Sequence, residues 1–171
     1  MDNILTAVRS ILESTPLRWQ HLTGAIPASL LVLSPKPGEW SPVECLQHLV
    51  DIERWVFPVR VQAFLNQQDF PAFNPDTQGT HLSENVSPSH LADEFTSLRQ
   101  ASLELFARLS QDDLSLTARH AELGVVSLGE LLHEWAAHDL DHTIQAERGL
   151  MQPFIQGCGP WQVFFKANTL G

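Results

Sequence analysis

An all-α fold, a four-helix bundle around one shared core, is what this sequence predicts. Three observations carry that prediction. Apolar residues recur at steps of three and four along four long segments. Three of those segments open with a serine placed as a helix cap, and no convincing run of period-two alternation suggests a strand. Four amphipathic helices bury their stripes most economically against one another.

The first helix spans about 3–23, with Ile4, Val8, Ile11 and Leu12 on one face. Pro16 should interrupt or kink it, because proline lacks an N–H and crowds the preceding turn. A Pro/Gly-rich connection then ends at Pro37-Gly38-Glu39-Trp40. The second helix opens at Ser41-Pro42-Val43-Glu44, which combines an N-cap serine, proline at the first helical position and glutamate at the third. Its apolar face runs Cys45, Leu49, Ile52, Val56, Val59 and Ala63, and Pro58 predicts a kink.

Ser87-Pro88 opens the third helix in the same way, with a stripe of Leu91, Phe95, Leu98, Ser102, Leu105 and Leu109. The fourth begins at Ser127-Leu128-Gly129-Glu130, another capping box, and should stop near Gly149. The tail carries Trp161, Phe164 and Phe165 and is apolar enough to dock as a short C-terminal helix. The segment from about Asn66 to Val86 is rich in Pro, Asn, Asp and Gly; its length permits a long crossover and marks it as a candidate pocket wall.

Composition narrows the function classes. The chain has 171 residues, 43% of them hydrophobic, which suits one domain over 1–171. Ten basic against twenty acidic residues give a formal charge of -10, which repels phosphate backbones and anionic membrane surfaces. No apolar run approaches the roughly 20 residues that span a bilayer. Neither nucleic acid nor membrane is an expected partner. Met1-Asp2-Asn3 opens no signal peptide, and Cys45 and Cys158 have no metal-ligand spacing, so a cytoplasmic location with free thiols is expected.

The chemistry resides in histidines, eight of them in a chain without tyrosine. His138 and His142 lie four residues apart, so they stand on one helix face. On a helical wheel both fall within the stripe of Leu128, Leu131, Leu132, Trp135 and Ala146, while Glu130, Ala137, Asp141 and Arg148 fall opposite. His48 likewise sits among Cys45, Leu49, Ile52 and Trp55 on the inward face of the second helix. Three imidazoles aimed into one interior need polar partners, and a shared metal ion would satisfy all three. Each could instead be a core histidine bonded to a carbonyl or carboxylate. Three ligands would leave a tetrahedral ion one open position, the arrangement of a catalytic site.

Glu44, Asp139 and Gln145 are candidates to touch and orient the imidazoles, each with a competing explanation. Glu44 lies one turn before His48, but its capping role already accounts for it. Asp139 falls near the middle of an apolar stripe, where it would orient an imidazole, pair with Arg60 or Arg99, or cap a neighbouring segment. Gln145 could touch a ligand or lie on a solvated edge. His133-Glu134 with His138 is one residue too long for a zinc-protease motif. Cys45 reads as core packing.

Two stretches resemble the DinB-like proteins. Trp40-Ser41-Pro42-Val43-Glu44-Cys45-Leu46-Gln47-His48-Leu49-Val50-Asp51-Ile52-Glu53 resembles their W-S-x-x-E-x-L-x-H-L-x-D-x-E stretch, and His138-Asp139-Leu140-Asp141-His142-Thr143-Ile144-Gln145 their H-D-x-x-H-x-x-Q helix. Pro37-Gly38 and Phe70-Pro71-Ala72-Phe73 fit as well. The resemblance implies an up-down-down-up bundle, often a homodimer, with zinc or nickel held by His48, His138 and His142. It implies an enzyme acting on a small molecule, with either a metal-activated water in a hydrolase or the thiolate of a low-molecular-weight thiol in an S-transferase or isomerase. The sequence shows no basic cluster to seat the carboxylates of such a thiol, which tilts the expectation toward hydrolysis. The rival is a non-catalytic, metal-binding stress-response bundle.

Overall fold

The computed structural model describes residues 3–74, 82 and 86–170. Four helical segments form the bundle: α1 (Ile4–Ala25), α3 (Pro42–Trp55) continued by α4 (Phe57–Leu65), α5 (Pro88–Phe106) and α6 (Leu128–Gly157). A short α2 (Ala28–Leu31) lies in the first connection, and 3-10 turns cover Asp112–Ser115 and Gly159–Phe164. No helix among the described residues is long and apolar enough to cross a membrane.

The serine caps act as expected. Ser41 and Ser127 each accept from the backbone N–H three residues on, and Glu44 and Glu130 reach back to the cap N–H groups. Ser87 caps α5 in the same way, without the reciprocal glutamate. The α3–α4 break falls at Val56 (φ -119°, ψ -76°), two residues before Pro58.

Both α1 and α3 pack against α5 and α6, so α1 and α3 stand on a diagonal. Arg99 of α5 meets Leu12 of α1 while Gln111 reaches Asn3, so these two helices run antiparallel. Pro42 lies against Gly149 and His48 against His138, so α3 opposes α6. In α3 and α5, Val43 to Val50 pack with Leu91 to Phe95 and Glu53 pairs with Arg99, so those two run together. The topology is therefore up-down-down-up.

Several expectations need correction. Pro16 leaves α1 unbroken. The carbonyl it cannot reach, that of Leu12, accepts from Arg99 Nη1 at 2.9 Å instead, so the orphaned acceptor is satisfied from another helix. Gly149 does not end α6. It is buried inside the helix, where a Cβ would stand 3.7 Å from Pro35 and 3.8 Å from Pro42. One glycine costs a helix only about 1 kcal/mol, which packing of the surrounding turns outweighs.

Trp55 and Val59 are 61% and 54% exposed, because the turn at Val56 interrupts the stripe they were assigned to. The short C-terminal helix forms, as the 3-10 segment Gly159–Phe164, but Trp161 and Phe164 stay 66% and 77% exposed. The tail is held through Gln152, which donates to Asn168 O and accepts from Leu170 N.

A β-hairpin also escaped the sequence reading. Strands β1 (Thr117–His120) and β2 (Gly124–Ser127) pair antiparallel, closed by Gly124 at φ 80°. Phe70 bridges to His120, and Asp69 accepts from Arg119 N–H, which fastens the start of the long connection to the hairpin. Much of that connection, 75–81 and 83–85, lies outside the described residues.

Candidate metal centre

The bundle interior divides into two apolar clusters with polar groups between them. Ile52, Phe57, Leu132 and Trp135 belong to one; Trp19, Leu46, Phe95 and Ala146 belong to the other. At the junction, α3 and α6 bring their histidines together. His48 Nε2 and His138 Nε2 are 3.1 Å apart, and one ligand atom from each of His48, His138 and His142 lies within 4.8 Å of the others. The 3.1 Å separation is close to the roughly 3.3 Å between two nitrogens on one tetrahedral zinc at about 2.0–2.1 Å.

The ring orientations have visible causes. His142 Nδ1 lies 2.9 Å from Gln145 Oε1, so it carries the proton and donates, leaving the Nε2 lone pair for a ligand. Gln145 thus touches a site histidine rather than lying on a solvated edge. Trp40 stacks on His142 at 5.8 Å and tilts against His48 at 4.9 Å. Phe57 meets His138 edge-on at 5.4 Å and stacks on Trp135. His138 Nδ1 is buried with no hydrogen-bond partner among the described residues.

Burial, with the neighbouring imidazoles as a lesser cause, pushes His48 down to about 3 and His138 down to about 2. Burial lowers His142 as well, partly opposed by its bond to Gln145. The three rings are therefore neutral near pH 7, the form that binds metal. Two Nε2 atoms facing each other at hydrogen-bond distance also leave one lone pair in excess unless a proton or a cation lies between them. The donor set fits a divalent transition metal.

The neighbours sort themselves. Glu44 is occupied by the Ser41 cap. Asp139 does not meet the imidazoles; it binds Arg99 through both oxygens, at 2.7 and 3.0 Å. Of the two arginines expected near it, Arg99 is the partner and Arg60 is not. Cys45 is fully buried, and burial followed by Glu44 pushes its thiol up to about 12, so it packs and does not react. Among the described residues the cluster that could hold a metal ion has three members and no fourth.

A cleft of about 260 Å³ reaches the imidazoles from the hairpin side. His48, His138, Phe57 and Phe73 line it, so the long connection does contribute a wall. Arg60 of α4 and His120 of β1 line it too, and sequence reading missed both as site residues. They are sixty positions apart, on a helix broken from its parent stripe and on a strand too short to show alternation. The basic pair absent from the linear sequence exists in three dimensions.

A DinB superfamily model matches residues 11–146. Among solved structures, the fold is similar to that of YfiT from Bacillus subtilis, with a TM-score of 0.74 and 17% identity over 88% of this chain and 87% of that one. YfiT is described as "a probable metal-dependent hydrolase with an unusual four-helix bundle topology". Identity that low shows the shared fold alone. A comparison with curated proteins found no match.

Proposed function

The chain belongs to the DinB superfamily, and from that premise we propose a metal-dependent enzyme that acts on a small molecule, with water as the attacking group. The observation that carries this reading is the convergence of three neutral imidazoles, two of which, His48 and His138, line a cleft, with no fourth such side chain among the described residues. A non-catalytic structural site would be expected to close its coordination sphere with a fourth side chain. YfiT's description as a metal-dependent hydrolase supports the same reading.

His48, His138 and His142 would hold zinc or nickel, and Gln145 would keep the His142 lone pair turned toward it. When bound, such an ion lowers the pKa of a coordinated water toward neutrality. Trp40 and Phe57 exclude solvent from the imidazoles and fix their planes. Their removal should loosen the site without removing a ligand.

A second reading, thiol-dependent transfer or isomerisation at the same centre, gains from Arg60 and His120. A cosubstrate thiol bearing carboxylates would find cationic and N–H donors in the cleft. Incubating metal-loaded protein with ester substrates, with and without a low-molecular-weight thiol, separates the two: turnover without thiol is expected.

The metal assignment is tested by elemental analysis of untagged protein beside His48→Ala and His142→Ala. Wild type should carry near-stoichiometric metal, and each variant should lose at least nine-tenths of it. Equal content in all three proteins would refute the assignment.

A further inference from the structure

Arg60 is 8% exposed and His120 7% exposed, and both line the cleft that reaches the imidazoles. His120 has its hydrogen-bonding roles fixed locally. Its Nδ1 accepts from the backbone N–H groups of Glu122 and Leu123, at 3.1 and 3.2 Å. A nitrogen that accepts twice cannot also hold the ring proton, so Nε2 carries it. That Nε2–H lies 3.4 Å from Arg60 Nη2, which has only donors to offer. The contact is donor against donor, not a hydrogen bond.

Arg60 is otherwise poorly matched. Its nearest carboxylate among the described residues is Glu134, half-exposed, with Oε1 at 4.0 Å from Nη1. Phe70 packs against the guanidinium at 5.2 Å, an apolar partner that strips water and returns little charge compensation. Burial lowers its pKa, with Glu134 a partial offset. A buried cation without a close acceptor is costly, and two donors converging on one space want an oxygen between them.

We infer that Arg60 and His120 form a carboxylate-binding subsite, so that the molecule reacting at the three imidazoles is a small organic carboxylate. The two donors stand at a spacing suited to forked recognition of a planar two-oxygen anion. The remaining walls, Ile52, Val56, Phe57 and Phe73, suit an apolar body between the carboxylate and the reacting group. Glu122 and Glu134 share the cleft and set a limit: they disfavour a second anionic group on that side. The inference rests on the cleft being the active site, but it concerns residues that are not metal ligands.

Benzoate and its uncharged counterpart benzamide are suitable probes, titrated by NMR into metal-free and zinc-loaded protein. Wild type should bind benzoate at least tenfold more tightly than benzamide in both forms. Arg60→Gln should abolish the preference while leaving benzamide affinity and metal content unchanged. His120→Asn, which keeps an acceptor for the two backbone N–H groups, should reduce the preference several-fold.

Equal affinity for both probes in wild type overturns the subsite, as does a preference that survives Arg60→Gln. A preference that needs zinc and ignores Arg60 places the carboxylate on the ion, which sinks the subsite and leaves the metal reading standing. Protein that takes up no zinc yet shows an Arg60-dependent preference sinks the metal reading alone. Should Arg60→Gln fail to fold, Arg60→Lys decides: it keeps the charge, loses the fork and should weaken the preference, and an unchanged preference counts against the subsite.

Discussion

Among the described residues two arginines are buried, and they live in opposite circumstances. Arg99, 1% exposed, spends every N–H it has. Nε and Nη2 reach the two oxygens of Glu53, Nη1 and Nη2 reach the two of Asp139, and the last Nη1 proton goes to Leu12 O. Burial alone would lower its pKa, but Asp139 and Glu53 outweigh it and hold it above the ordinary value. The cluster ties α5 to α1, α3 and α6. Arg60 has no carboxylate closer than 4.0 Å among the described residues and faces another donor.

The same contrast separates Asp139, whose oxygens are filled, from His138, whose buried Nδ1 finds nothing. Asp139 has its valences met within the chain and ties helices together, whereas His138 Nδ1, beside the other two imidazoles, does not.

Arg99→Met should be the most damaging test of that contrast. It leaves two carboxylates buried without a cation and Leu12 O without a donor, and the expected loss is about 3–5 kcal/mol in urea unfolding. If Glu53 and Asp139 are exchanged for apolar residues as well, much of that loss should return. A loss under about 1 kcal/mol for Arg99→Met would mean that the saturated cluster contributes little.

The buried imidazoles should make their burial visible through pH. Folded His48 and His138 sit near 3 and 2, below the usual unfolded value of about 6.5. Between these limits the unfolded chain binds protons that the native one refuses, so stability is fully present above pH 6.5 and falls on acidification. For metal-free protein, urea midpoints from pH 7 to pH 5 should report a loss of about 1–2 kcal/mol per imidazole. Zinc should oppose part of it, because loading stabilises the native state. A flat profile would contradict the burial of these rings.

Arg60→Met is the smallest expected effect and the sharpest counterpart to Arg99→Met. With no close ion pair to lose, stability should stay within about 1 kcal/mol of wild type. A loss as large as that of Arg99→Met would erase the distinction between the two sites.

How far the sequence could be read follows from the range of the forces involved. Ser41-Pro42-Val43-Glu44 and Ser127-Leu128-Gly129-Glu130 were legible because a cap is settled within four residues. His48, His138 and His142 were legible because apolar stripes report which face turns inward, and all three rings do converge. Gly149 was misread as a stop because the prolines that pack against it lie more than a hundred positions away. The break at Val56 removed Val59 from the stripe that a continuous helix would have extended.

By itself, then, the sequence determined where helices begin, which faces are apolar and that three histidines share an interior, since each depends on neighbours within a turn or two. Tertiary structure alone decided that Asp139 belongs to Arg99, that Arg99 serves the carbonyl Pro16 leaves unpaired, and that Arg60 meets His120. Those pairings join residues forty to ninety positions apart, and no local periodicity encodes which side chains will meet once helices pack.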